Sequence, residues 1–287
     1  MNSTESAIAF SCGDDQLVGI LHRAHGTSRH IGLLIVVGGP QYRVGSHRQF
    51  VFMARRMAAA GFPVLRFDYR GMGDSAGSRR AFSDIDGDIR AAMDAFIAEI
   101  PSLRGIALYG LCDAASAVLM YSPADPRVAG KILANPWVRS ETGEARTFVR
   151  HYYRSRVFKR DFWRKLLSGN VQMRASAQDL IAQWRRSRLP RSSEQVTVDK
   201  PFVERMQEGL QRFARPVLIV ISERDLTAKE FTDLVAQSPD WRALVGRRDV
   251  RLVEVRGADH TFSSEASHLV AIGHALNWLG ELEQLSA

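Results

Sequence analysis

Short apolar runs of about strand length alternate along the chain with amphipathic stretches of helical period. This pattern predicts an α/β fold, a mostly parallel twisted sheet with helices on both faces. The expected buried strands are "IGLLIVV" at 31–37, "FPVLRFDYRG", "GIALYG", "VAGKILANPW", "PVLIVISERD" and "DVRLVEVRGADH". "LVGILHRA" reads as an early antiparallel strand. Between them, "RQFVFMARRMAAAG" predicts a helix closed by Gly61, because glycine tolerates the left-handed end of a helix. "SDIDGDIRAAMDAFIAEI" predicts another, with Ser83 or Asp84 as its N-cap. "DAASAVLMYS", "AKEFTDLVAQ" and the C-terminal "SEASHLVAIGHALNWLGELEQL" complete the helical set.

The alternation breaks between residues 138 and 213, where "FVRHYYRSRVFKRDFWRKLL", "SAQDLIAQWRRS" and "PFVERMQEGLQRF" read as helices and no buried-strand run occurs. The expected organisation is therefore a core of residues 1–137 and 214–287 with a helical lid over 138–213. Within that lid "RLPRSSEQVTVDKP" is expected to be a disordered loop.

Charge sharpens this division. The 287-residue chain carries a net +8, yet residues 139–191 alone hold 14 Lys and Arg against 4 Asp and Glu. That local excess of 10 leaves about −2 for the rest, so the basicity belongs to one segment and points to a local anionic partner. Arg150, Arg154 and Tyr152 are the candidate substrate-binding residues there. An anionic substrate suits them: a coenzyme A thioester, a phosphorylated lipid carrier or an acidic polysaccharide. The arginines interleaved with aromatics also suit peripheral contact with a membrane surface. A solvated charged face is the plainer alternative. No nucleic-acid-binding motif accompanies the patch, so nucleic acid is not an expected partner. The N-terminus lacks the pattern of a signal peptide and no run approaches the ~20 residues of a membrane span, so a soluble cytoplasmic protein is expected. With two cysteines, a disulfide scaffold is not expected.

The chemistry centres on "LYGLCDAASA", residues 108–117. Gly110, Ala114 and Ala115 are the small neighbours that a nucleophile on a tight strand-to-helix turn requires, and Cys112 stands where a serine is usual. The N-terminus of the following helix favours a thiolate. The alternative is a small cysteine buried in the core. Asp225 follows the strand "LIVIS" and His260 follows the strand "RLVEV", so nucleophile, acid and base would all lie at C-terminal strand ends, where open α/β sheets build sites. His260 would take the thiol proton and Asp225 would orient the ring. Asp225 is equally suited to cap the helix beginning near Thr227, and Asp259 is a rival carboxylate that ranks lower because adjacent residues rarely face one another. The oxyanion donors are expected to be the amide of Asp113 and an amide of "GGPQY", Gln41 in preference to Gly39, because Pro40 has no N–H. "YRGMGDSAG" lacks the Lys-Ser/Thr ending of a phosphate loop. No cofactor or metal is expected.

On "VVGGPQ", "FDYRGMGDS", "GLCDAAS", "SERD" and "GADHTF" the chain resembles the α/β-hydrolase fold over nearly its whole length. Its cysteine nucleophile is similar to that of dienelactone hydrolases. "GGPQYRVGSHRQF" together with "GLCDAASA" and "HYYRSR…FWRKL" resembles the exosortase A system-associated hydrolase 1 family. That resemblance implies work alongside bacterial exopolysaccharide and protein-sorting systems.

A cysteine acyl-enzyme is a thioester, formed readily from activated esters or thioesters and poorly from amides. The expected activity is hydrolysis of such a donor through a covalent acyl-enzyme. The alternatives are acyl transfer from the same site, or a non-catalytic binding module that keeps the fold.

Overall fold

A computed structural model describes residues 5–39, 41–121, 125–138 and 201–286. The first described elements are β1 (Glu5–Cys12), β2 (Asp15–His22), β3 (Ile31–Val36), α1 (Gln49–Ala59), β4 (Val64–Asp68) and α2 (Asp86–Glu99). The centre of the chain forms β5 (Gly105–Leu111), α3 (Asp113–Tyr121) and β6 (Val128–Ala134). After residue 200 come α4 (Phe202–Arg212), β7 (Val217–Ser222), α5 (Leu226–Gln237), α6 (Pro239–Val245), β8 (Val250–Val255) and α7 (Glu265–Ser286).

The eight strands form one sheet in the order β1-β2-β4-β3-β5-β6-β7-β8. β1 and β2 pair antiparallel, β2 pairs antiparallel with β4, and the remaining neighbours are parallel. Every residue of β3, β5, β6 and β7 is buried, as helices on both faces require. The twofold alternation of side chains splits β3 between two cores. Leu34 and Val36 face a cluster with Phe96, Val118 and Phe231, while Leu33 and Ile35 face one with Met57, Tyr109 and Trp278. At about 1.5–3 kcal/mol for each large apolar side chain, these two layers supply the main driving force for the sheet. The chain leaves β3 towards β4 and returns to β5 on the other side, so the crevice beside the ends of β3 and β5 is a topological switch point.

Three differences from the sequence reading have physical causes. β1 is an edge strand with most residues exposed or half-buried, so it has no hydrophobic pattern to find. α2 begins one turn later than expected: residues 82–84 form a 3-10 turn, Ile85 occupies the N-cap without a side-chain bond, and neither Ser83 nor Asp84 caps the helix. Its first turn is instead fixed by Asp88, which accepts from the N–H and guanidinium of Arg70.

The third correction concerns the lid boundary. Residues Met1–Val138 and Pro201–Ala287 form one compact unit, so α4 belongs to the core rather than to an insertion running to 213. Its Met206 and Leu210 are fully buried in the core cluster. Arg247 donates to the carbonyls of Leu210 and Phe213 at 2.7 and 2.6 Å, tying down the end of the helix. The buried amine of Lys131 lies 4.0 Å from the Phe213 ring centroid and donates at 3.5 Å to the Leu119 carbonyl in the last turn of α3. Burial pushes that amine well below the ordinary lysine range. Among the described residues no helix is long and apolar enough to cross a membrane.

Gly209 is where α4 meets α3, because a Cβ there would lie 2.1 Å from the Leu119 carbonyl oxygen. Gly209→Ala is therefore expected to lower stability by about 1–3 kcal/mol through overpacking. A helix standing clear of the core would instead gain about 0.5–1 kcal/mol from the same change. Thermal or urea unfolding of the variant distinguishes the two.

Candidate active site

Cys112 forms the whole connection between β5 and α3, with φ at 62°. A left-handed backbone costs an ordinary L-residue about 1–3 kcal/mol, so the surroundings must hold it. They do so on several sides. The Cys112 N–H donates to the Ala134 carbonyl of β6 at 2.9 Å, and its carbonyl accepts from Ala115 at 3.0 Å and Trp137 at 3.2 Å. Two residues back, a Cβ on Gly110 would lie 2.5 Å from the Ala114 carbonyl, so the turn can close this tightly only over glycine. Cys112 is half-buried rather than sealed in the core, and both cysteines of the chain are free.

Asp225 and His260 come from the loops after β7 and β8. His260 Nδ1 lies 2.8 Å from Asp225 Oδ2, and the Cys112 side chain acts on the same ring. Asp225 is buried, and its two oxygens also accept from Thr227 N–H at 3.2 Å and Ala228 N–H at 3.1 Å. It therefore caps α5 and holds the histidine at once, so the two readings of this residue are compatible. Asp259 is turned away, with its carboxylate bound to Ser263.

The Asp225 bond, followed by that to Cys112, pushes the His260 pKa up to about 10 against the opposing effect of burial. Both partners thus favour the protonated ring. Its contribution to folding is fully present below the ordinary value of 6.5 and is lost as pH rises through about 10.

Asn135 is a positioning residue that sequence reasoning missed. It is fully buried with φ 45°, directly after β6. Its Nδ2 donates to Ser222 Oγ and to the His260 carbonyl, both at 2.9 Å, while its Oδ1 accepts from Ser222 N–H at 2.8 Å. One amide thereby locks the end of β7 to the histidine loop. The signal was an asparagine closing an apolar run in "KILANPW".

The oxyanion loop departs from expectation. Gln41 N–H donates to the Gly39 carbonyl at 2.8 Å, closing a tight turn, so it does not point at a reacting group. Gly39, with φ 60°, directs its own N–H to Asp113 Oδ2 at 2.9 Å. Asp113 Oδ1 accepts from Ala114 N–H at 2.9 Å. The loop is anchored below by Asp68 at the end of β4, which accepts from the Arg43 N–H at 2.7 Å and from its guanidinium. Between the loops lies a cavity of about 340 Å³ walled by Gly39, Tyr69, Arg79, Arg80, Phe82 and Asp113. Burial pushes the Tyr69 phenol up to about 12. Arg150, Tyr152 and Arg154 lie outside the described residues.

Solved structures of similar fold include three esterases. The esterase Pf2001 of Pyrococcus furiosus superposes with a TM-score of 0.64 at 14% identity, over 96% of this chain and 92% of its own. Est1E of Butyrivibrio proteoclasticus, solved with ferulic acid bound, gives 0.63 at 15% identity, over 98% of this chain and 100% of its own. A thermostable carboxyl esterase of Bacillus coagulans gives 0.65 at 15% identity, over 98% and 99% respectively. At such identities the likeness establishes the fold. No curated protein matches the sequence closely enough to compare. Residues 24–271 match the model of the Alpha/beta hydrolase family, which is most of the chain and all of the strands from β3 to β8. The chain belongs to the alpha/beta hydrolase family.

Proposed function

We propose that this protein hydrolyses an activated acyl ester or thioester through a covalent intermediate on Cys112. The observation that carries the reading is the His260 ring, bonded to buried Asp225 and acted on by the side chain of Cys112 on the left-handed elbow. In this reading the proton resides on the ring before substrate arrives, so His260 serves first as counter-charge and acid, not as the initial base. Cys112 Sγ forms a bond to the acyl carbon, and the carbonyl oxygen gathers negative charge at the amides of Asp113 and Gly39. Collapse of that intermediate breaks the bond to the leaving oxygen or sulfur, which takes the His260 proton. Water then attacks the thioester, passes a proton to the neutral ring and releases the carboxylic acid, restoring the sulfur–imidazolium pair.

The likeness in shape to esterases supports acyl chemistry, and the thiol supports activated donors. The sequence resemblance to exosortase A system-associated hydrolases supports a donor drawn from exopolysaccharide assembly, carried on an anionic or lipid-linked group. Arg150, Tyr152 and Arg154 would bind that group.

Two outcomes test this reading. Cys112→Ala should lower turnover of a small activated thioester by at least about 10³-fold with the unfolding temperature little changed; undiminished turnover refutes the assignment. Asp225→Asn removes the largest influence holding the proton on His260. The alkaline limb of kcat/KM, expected near pH 10, should therefore move to lower pH by about one unit or more. An unmoved limb would mean that this ring does not govern the reaction.

A further inference from the structure

We propose that the carboxylate of Asp113 is the resting occupant of the oxyanion site, so that an acyl donor must displace it before Cys112 can be acylated. The inference rests on reading Cys112 as the nucleophile. An aspartate in the first turn of a helix commonly accepts from a nearby helix amide, and the bond from Ala114 N–H is of that kind. The bond from Gly39 is not. That amide belongs to the loop after β3, 74 positions away, and under the proposed function it is the loop donor for the developing oxyanion.

The carboxylate also fills the space. A Cβ on Gly38 would lie 2.0 Å from Asp113 Oδ1 and 2.8 Å from Ala114 N, so the side chain rests directly on the loop backbone. A carbonyl oxygen seeking the Gly39 N–H must enter that space. With the carboxylate left in place, the oxyanion would lack its loop donor and stand beside a like charge, and both effects oppose acylation. His260 acts electrostatically on Asp113, which ties this carboxylate to the reacting centre. Burial pushes the carboxyl up while the amides of Gly39 and Ala114 pull it down.

The neighbouring cavity of about 340 Å³ gives the displaced group somewhere to go, and Arg79 on its wall supplies opposite charge. Asp113 thus controls the access of an acyl donor to the Gly39 amide.

The test compares two reactions of the same sulfur, each followed by the mass of the Cys112 peptide. Acylation by p-nitrophenyl acetate passes through an oxyanion; alkylation by iodoacetamide does not. In Asp113→Ala the ratio of acylation to alkylation rates should rise by at least about tenfold, since one oxyanion donor is worth about 10²–10³ in rate. Asp113→Asn, close to isosteric and able to keep one amide bond, should give a smaller rise and serves if the alanine variant folds poorly. A ratio unchanged within twofold, or reduced, in a folded variant overturns the proposal while leaving Cys112 acylation standing. Alkylation without acylation in wild type and variants alike overturns the functional reading, and this inference with it.

Discussion

The left-handed turn at Cys112 is a conformation that an L-residue adopts only under constraint, and the fold supplies that constraint from three directions. β6 holds its amide, the first turn of α3 and Trp137 hold its carbonyl, and Gly110 leaves the space into which Ala114 folds back. Relaxing the turn would swing the sulfur away from His260 and misdirect the start of α3. The buried strands on either side and the anchoring of α3 at its far end by Lys131 and α4 therefore bear on the chemistry, although none of them touches it.

A second level of organisation is electrostatic. Asp225 is fixed by two helix amides before it meets His260, so its geometry does not depend on the ring it orients. Asn135 braces the histidine loop against β7, and Asp68 with Arg43 braces the oxyanion loop against β4. The histidine loop and the loop after β3 are thus each held by a buried polar side chain at a strand end. Such contacts act strongly where water is scarce. The same principle makes the Asp113 carboxylate consequential, since it accepts from the Gly39 amide that the proposed chemistry would use.

Much of this was legible from the order of residues alone. Buried strands announce themselves as unbroken apolar runs, and a small-residue turn between such a run and a helix is a strong local signal, so the β5–Cys112–α3 elbow and the loops of Asp225 and His260 stood out. What local pattern could not provide was the destination of individual amides. Gln41 N–H and Gly39 N–H are two positions apart in sequence, yet one closes its own turn and the other reaches a carboxylate at the start of α3. β1 was illegible because an exposed edge strand needs no hydrophobic face. α4 read as part of the insertion because its charged face dominates its composition, while only Met206, Gly209 and Leu210 are buried.

The central claim is that acyl groups pass through the sulfur of Cys112. Rapid-quench mass spectrometry during turnover of an activated thioester addresses it most directly. The account predicts an acyl mass on the Cys112 peptide that forms before product and decays as product appears. Steady hydrolysis with that peptide unmodified at every time point would contradict it.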